Sequence, residues 1–238
     1  MKKLLLIIIA FISVSTASAQ KKKDWANVSK RAGDHFMLQF SNDRWMGAPD
    51  SVSNHMKGFA RGFNAYVMLD KVFKSSPQFS VAFGLGVSTS NIYFKKYGIE
   101  LKSNTTTLPF NKLDSLNHFK KYKLATSYLE IPIEIRFSND PANDMKSFKA
   151  AIGFKVGTLL NVHTKGKTLQ NASDKVLYNY TEKETSKKFF NSTRICATAR
   201  IGYGNFSVFG SYQINNIFKD GVAADTKLLQ IGLTLSGL

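Results

Sequence analysis

Two carboxylates four residues apart, Glu130 and Glu134, are the residues of this chain best suited to acid–base chemistry. They stand in the segment Tyr128 to Phe137, which reads Tyr-Leu-Glu-Ile-Pro-Ile-Glu-Ile-Arg-Phe. Paired carboxylates share glycosidase-type catalysis when they lie about 5–9.5 Å apart. Polar and apolar residues alternate here, so the segment is an extended strand, and positions i and i+4 are roughly 13 Å apart at ~3.3 Å per residue. That spacing argues for structure. Glu130, Glu134 and Arg136 share one face with Lys149, Lys155, Arg194 and Arg200 of later strands. Together these seven predict a charge network that seals the inside of a closed barrel and leaves no aqueous channel.

Other chemistry-bearing residues are sparser. His35, His55, His118 and His163 show no His-x-x-x-His spacing, and Cys196 is the only cysteine, so no metal, cofactor or internal disulfide is expected. His163 with Ser90 and Asp43 gives the alternative of a rim-located enzyme acting on lipid or peptide, without a strained nucleophile motif. Gly84-x-Gly86 lies within a strand with no helix after it, so it reads as close packing and not as a nucleotide loop.

The elements that must position these residues are strands of period two. Expected are Asp34–Asp43, Gly58–Phe73, Gln78–Phe94, Tyr122–Phe137, Ser147–Thr164, Lys188–Tyr203, Phe206–Ile217 and Thr226–Leu238. In the third, Phe79, Val81, Phe83, Leu85 and Val87 alternate with Ser80, Ala82, Gly84, Gly86 and Ser88. A water-facing file would carry Lys, Glu and Thr, whereas Gly, Ala and Ser suit the crowded inside of a small closed barrel. The apolar file therefore faces lipid. In the fifth strand, Phe148 through Leu160 to Val162 take the lipid side. Tyr93, Phe94, Phe137, Phe189, Phe190, Tyr203 and Phe206 are expected as interfacial girdles. Pro132 cannot donate to a ladder, so a bulge or an unpaired neighbour is expected beside it.

The fold class is thus all-β, an eight-stranded antiparallel up-and-down transmembrane β-barrel. Three of its odd-numbered connections are the longest, as in outer-membrane barrels with short periplasmic turns and long external loops. Lys2 and Lys3, the run Leu4 to Val14 and Ala17-Ser18-Ala19 form a secretory signal, residues 1–19, cleaved after Ala19. Residues 20–33 make a polar periplasmic lead-in, and 34–238 the barrel. Processing leaves 31 basic against 16 acidic residues, a net charge of +15. Two external loops concentrate that charge: Lys95, Lys96, Lys102, Lys120 and Lys121 in one, and Lys165, Lys167, Lys187 and Lys188 in the other. An exported basic surface selects lipopolysaccharide phosphates or an acidic protein partner in the outer membrane or periplasm, not nucleic acid. A narrow pore is a further alternative.

The leader, the eight amphipathic strands, Tyr128-Leu129-Glu130-Ile131-Pro132-Ile133 and Ile231-Gly232-Leu233-Thr234-Leu235 resemble the PorT-like outer-membrane β-barrel family of Bacteroidota. The resemblance spans the mature chain. It implies an outer-membrane location and a non-enzymatic role, in some members as an accessory of protein secretion and gliding.

Overall fold

A computed structural model describes residues 36–237; the expected leader and lead-in lie outside the described residues. Among the described residues eleven strands form: β1 (Phe36–Met46), β2 (Arg61–Val72), β3 (Phe79–Phe94), β4 (Tyr97–Ile99), β5 (Phe110–Lys112), β6 (His118–Ser138), β7 (Phe148–Gln170), β8 (Val176–Thr185), β9 (Thr193–Tyr203), β10 (Phe206–Gln213) and β11 (Lys227–Ser236). Eight of them close antiparallel in the order β1-β2-β3-β6-β7-β9-β10-β11, and β11 returns to pair with β1. The ring has no free edge, which a barrel in hydrocarbon requires. β4 and β5 make a separate hairpin, and β8 pairs only with β7.

Alternation decides what each face meets. Phe40, Phe83, Ile133, Ile152 and Leu233 point outward and are about half exposed or more, forming a continuous apolar belt. Met37, Asn64, Tyr66, Ser88, Tyr128 and Arg194 point inward and are buried. An exposed apolar surface of this extent is untenable in water and fits lipid. The inner file must be small where strands curve: a Cβ at Gly86 would overlap the Ala65 carbonyl and the Tyr66 ring. No helix among the described residues is long and apolar enough to cross a membrane.

Three expectations need correction. First, the stretch after β7 is not a loop. β6 runs 21 residues and β7 23, and with β8 they carry the sheet beyond the belt as a projecting ridge. The alternating Val176–Thr185 is strand-forming in its own right once β7 offers an edge. Second, Val162 does not take the lipid side, because a bulge occurs at Leu160. Ser127 pairs with Asn161 and Tyr128 with Leu159, so Leu160 is the extra residue. The bulge inverts the alternation beyond it and turns Val162 inward, fully buried. At Pro132 the β3–β6 register is the same on both sides, with Phe83 opposite Ile133 and Gly86 opposite Glu130; only the bridges between them are missing. Pro132 is accommodated by a locally unpaired neighbour. Third, Phe94, Phe189 and Phe190 are not girdle residues, because each is almost wholly buried. Residues 186–192 precede β9 as a turn, so β9 starts at Thr193 and not at Lys188, and β10 stops at Gln213, short of Ile217. Tyr203 and Phe206, at the short-turn end, are well exposed.

Candidate functional site

The lumen is filled by two charge clusters. Strand β6 places Glu130, Glu134 and Arg136 inward, β7 adds Lys149 and Lys155, and β9 adds Arg194 and Arg200. Glu130 is fully buried and accepts from Arg194 through both Nη2 and Nε, the latter at 2.8 Å. Tyr66 Oη donates to its other oxygen at 2.5 Å, and Lys155 Nζ lies 3.7 Å from that oxygen. Arg194 also donates to Ser88 Oγ at 2.6 Å and covers the Tyr128 ring at 4.1 Å. From Ser88 a chain of side-chain bonds runs through Asn64 and Gln39 to Thr234, linking four strands. The second cluster is nearer the short turns: Glu134 accepts from Arg136 at 2.9 Å and from Arg200 at 3.1 Å. Lys149, half-buried, faces the lumen at that end, where it pairs in register with Ser138 and Gly202. Glu130 is thus held by one guanidinium and Glu134 by two. Around Arg194 the remaining void is about 10 Å³, room for one water.

Above this layer stands an apolar cap. Trp45, Ile92, Phe94, Leu124, Phe189, Phe190, Ile217 and Phe218 pack with Tyr97, Ile99, Leu101 and Leu108 of the long connections. Trp45 meets Phe94 and Phe218 edge-on at 5.7 and 5.5 Å. Aromatic residues placed by three different connections meet here, and no local pattern marks them for one another. At its flank, beside the short helix α1 (Asp50–Ser53), lies a cleft of about 380 Å³ lined by Trp45, His55, Tyr97, Phe110 and Phe218.

The rim triad does not assemble. Asp43 is buried, bonded to Ser41 Oγ at 2.5 Å and to Gln230 Nε2 at 3.2 Å. Ser90 also faces the lumen, whereas the Leu160 bulge puts His163 on the outer face beside Asn161. The wall separates them. Among the described residues, no group of three or more His, Cys, Asp or Glu stands close enough to hold a metal.

The lysines of the long connections fall into two sets. Lys96, Lys102 and Lys188 tie the ridge to the loop beneath it, and Lys187 ties the turn before β9 to β7. Lys188 Nζ donates to the carbonyls of Ser103 and Thr105 at 2.9 and 3.2 Å, Lys187 Nζ to that of Leu159 at 3.2 Å, and the Lys102 amide to Glu184 at 2.7 Å. Lys95 and Lys120 are solvent-exposed, and Lys121, Lys165 and Lys167 lie on the outer face. Sequence reasoning missed Tyr66, Ser88 and Asn64 as partners of the charge layer, and Glu182 and Glu184 on the inner face of β8. The alternation Thr-Glu-Lys-Glu-Thr over residues 181–185 carries the signal for the last two.

A latch closes the ridge tip. His118 Nε2 and Lys96 Nζ reach opposite oxygens of Asp174 at 2.9 and 3.3 Å. The His118 hydrogen bond, then that of Lys96, holds the Asp174 carboxyl below its usual range. A depressed carboxylate stabilises above its unfolded value, near 3.9, and the contribution vanishes as pH falls through the folded value. Tip amide signals of residues 170–175 should therefore stay constant at neutral pH and shift together below about pH 4, and D174N should show the shifted positions throughout. Signals unmoved in both would exclude the latch.

A family model described as outer membrane protein beta-barrel domain matches residues 18–220. A comparison with curated proteins returns no match. Among solved structures, Ail, the attachment invasion locus protein of Yersinia pestis, is similar at 13% identity and a TM-score of 0.36, covering 87% of this chain and 98% of that one. Ail in complex with the heparin analogue sucrose octasulfate gives 12% identity and a TM-score of 0.32, covering 84% and 94%. A mutant porin of Rh. blastica gives 10% identity and a TM-score of 0.19, covering 85% and 98%.

Proposed function

The chain belongs to the outer membrane protein beta-barrel domain family, and from that premise we propose a non-enzymatic, structural or accessory protein that works through its external surface. One observation carries the reading: the lumen is closed at the level of Glu130 and Arg194 and covered by the aromatic cap. A solute would have to break a buried ion pair in a low-dielectric interior to pass. What remains for contact is the ridge β6–β7–β8, with its basic residues external if the short turns are periplasmic. The PorT-like resemblance of Tyr128–Ile133 and Ile231–Leu235 supports an accessory role, in protein secretion or gliding, with an acidic protein or lipopolysaccharide as the contact.

The test combines two measurements on the full processed barrel. In planar bilayers, conductance should stay at the bare-membrane level, and discrete steps would overturn the sealed lumen. In native outer membranes, crosslinking from cysteines placed at Val176 and Tyr178 on the ridge should yield a defined adduct. Cysteines at Lys74 and Lys146 on the short turns should not. The reverse pattern would move the contact to the periplasmic side.

A further inference from the structure

The ridge is two-faced. On its inner side Glu182 and Glu184 stand opposite Gly166 and Thr164, and Glu184 accepts the amides of Leu101 and Lys102 at 3.0 and 2.7 Å. On its outer side lysines stand opposite lysines: Lys121 pairs in register with Lys167, Lys123 with Lys165, and Lys165 with Lys183. Like charges directly opposite one another in a sheet are destabilising. Among the described residues no carboxylate lies within ion-pair distance of these five. Lys123 donates to Asn91 at 2.6 Å. Arg61 continues the file toward the membrane, within 5.9 Å of the Phe59 and Tyr93 rings.

This face is continuous with the lipid-facing belt. Lys123 precedes Leu129 by six residues on the same side, about 14 Å of height at ~3.3 Å per residue and a 45° tilt. Arg61 is only two residues above Phe63. Lysine stems reach several ångströms along a surface with the charge at the tip, so the ladder spans headgroup level and the layer just above it.

We propose that this outer ladder, Arg61, Lys121, Lys123, Lys165, Lys167 and Lys183, binds the phosphate groups of outer-leaflet glycolipid, lipopolysaccharide in a Gram-negative membrane. The assignment rests on the outer-membrane reading above and names the chemistry of one face of the ridge. Phosphate oxygens between the strands convert cross-strand repulsion into bridging attraction, and the belt below holds the acyl chains of the same lipid.

The processed barrel, its folding verified by heat-modifiable electrophoretic mobility, is titrated in neutral detergent with diphosphorylated lipid A, with dephosphorylated lipid A and with an acidic peptide. Wild type should bind the diphosphorylated form, less tightly at high salt. Each basic residue near an anionic surface is worth about fivefold, so K123Q/K165Q/K183Q should weaken binding on the order of 100-fold. The arginine triple should retain binding, as should K74Q/K146Q/K219Q, which removes equal charge elsewhere. The proposal is overturned if the ladder variant binds like wild type or if dephosphorylated lipid A competes equally. Tighter binding of the acidic peptide also overturns it and assigns the face to a protein, leaving the accessory role in place. Failure of every variant to insert would instead count against the outer-membrane barrel itself.

Discussion

Replacing Glu130 with alanine should cost the barrel about 3–5 kcal/mol, the usual penalty for removing one partner of a buried ion pair. The loss is not that of one contact. Arg194 is 1% exposed and Lys155 3% exposed, so the substitution leaves two cations in the lumen without their carboxylate. Tyr66 loses the acceptor of its 2.5 Å bond as well. Arg194 keeps Ser88 and the Tyr128 ring, neither of which neutralises its charge. Denaturant unfolding in lipid vesicles, read by electrophoretic mobility, measures the effect. E130Q/K155M/R194M should recover most of the loss, since neutral replacement of the carboxylate and of both cations leaves no uncompensated charge in the lumen. A stability of E130A within about 1 kcal/mol of wild type would mean that water reaches Arg194 and that the lumen is not sealed there.

Phe94→Ala acts on a different layer. Phe94 has no exposed surface and packs edge-on against Trp45 and face-on toward Tyr97, with ring centroids 5.7 and 6.0 Å away. Truncating a buried Phe costs about 3–5 kcal/mol, from lost transfer energy and the cavity left behind. The strands below are held by their own ladders, so the loss concentrates in the cap. Amide exchange over Tyr97 to Phe110 should rise about 100- to 1,000-fold, while strand amides of β2 and β11 keep their protection. Conductance should remain flat, because the Glu130 layer lies beneath the cap. Exchange that rises uniformly through the barrel would show that cap and barrel form one cooperative unit.

Much of the charge layer was legible beforehand. Glu130, Glu134, Lys155 and Arg194 alternate with Ile, Val and Leu on their strands, so local geometry alone assigns them to the face opposite lipid. Which of them would pair was not legible. Glu130 meets Arg194, and Glu134 meets Arg200, because β9 lies across from β6 at a register that β7 transmits between them. The girdle assignment of Phe94, Phe189 and Phe190 erred because an aromatic residue at a strand end looks the same to a sequence whether it meets lipid or a folded-back loop.

The ridge shows the division most plainly. From the chain alone came the period-two strands, the closed eight-stranded barrel they imply and the clustering of lysines in two connections. These follow from the pleat, which sends successive side chains to opposite faces wherever a strand forms. Tertiary structure decided which way those lysines point. One extra residue, Leu160, inverts the alternation of β7, turns Val162 into the cap and carries Lys165 and Lys167 to the side occupied by Lys121 and Lys123. A bulge is a mismatch in length between two paired strands, so it exists only once β6 and β7 are side by side.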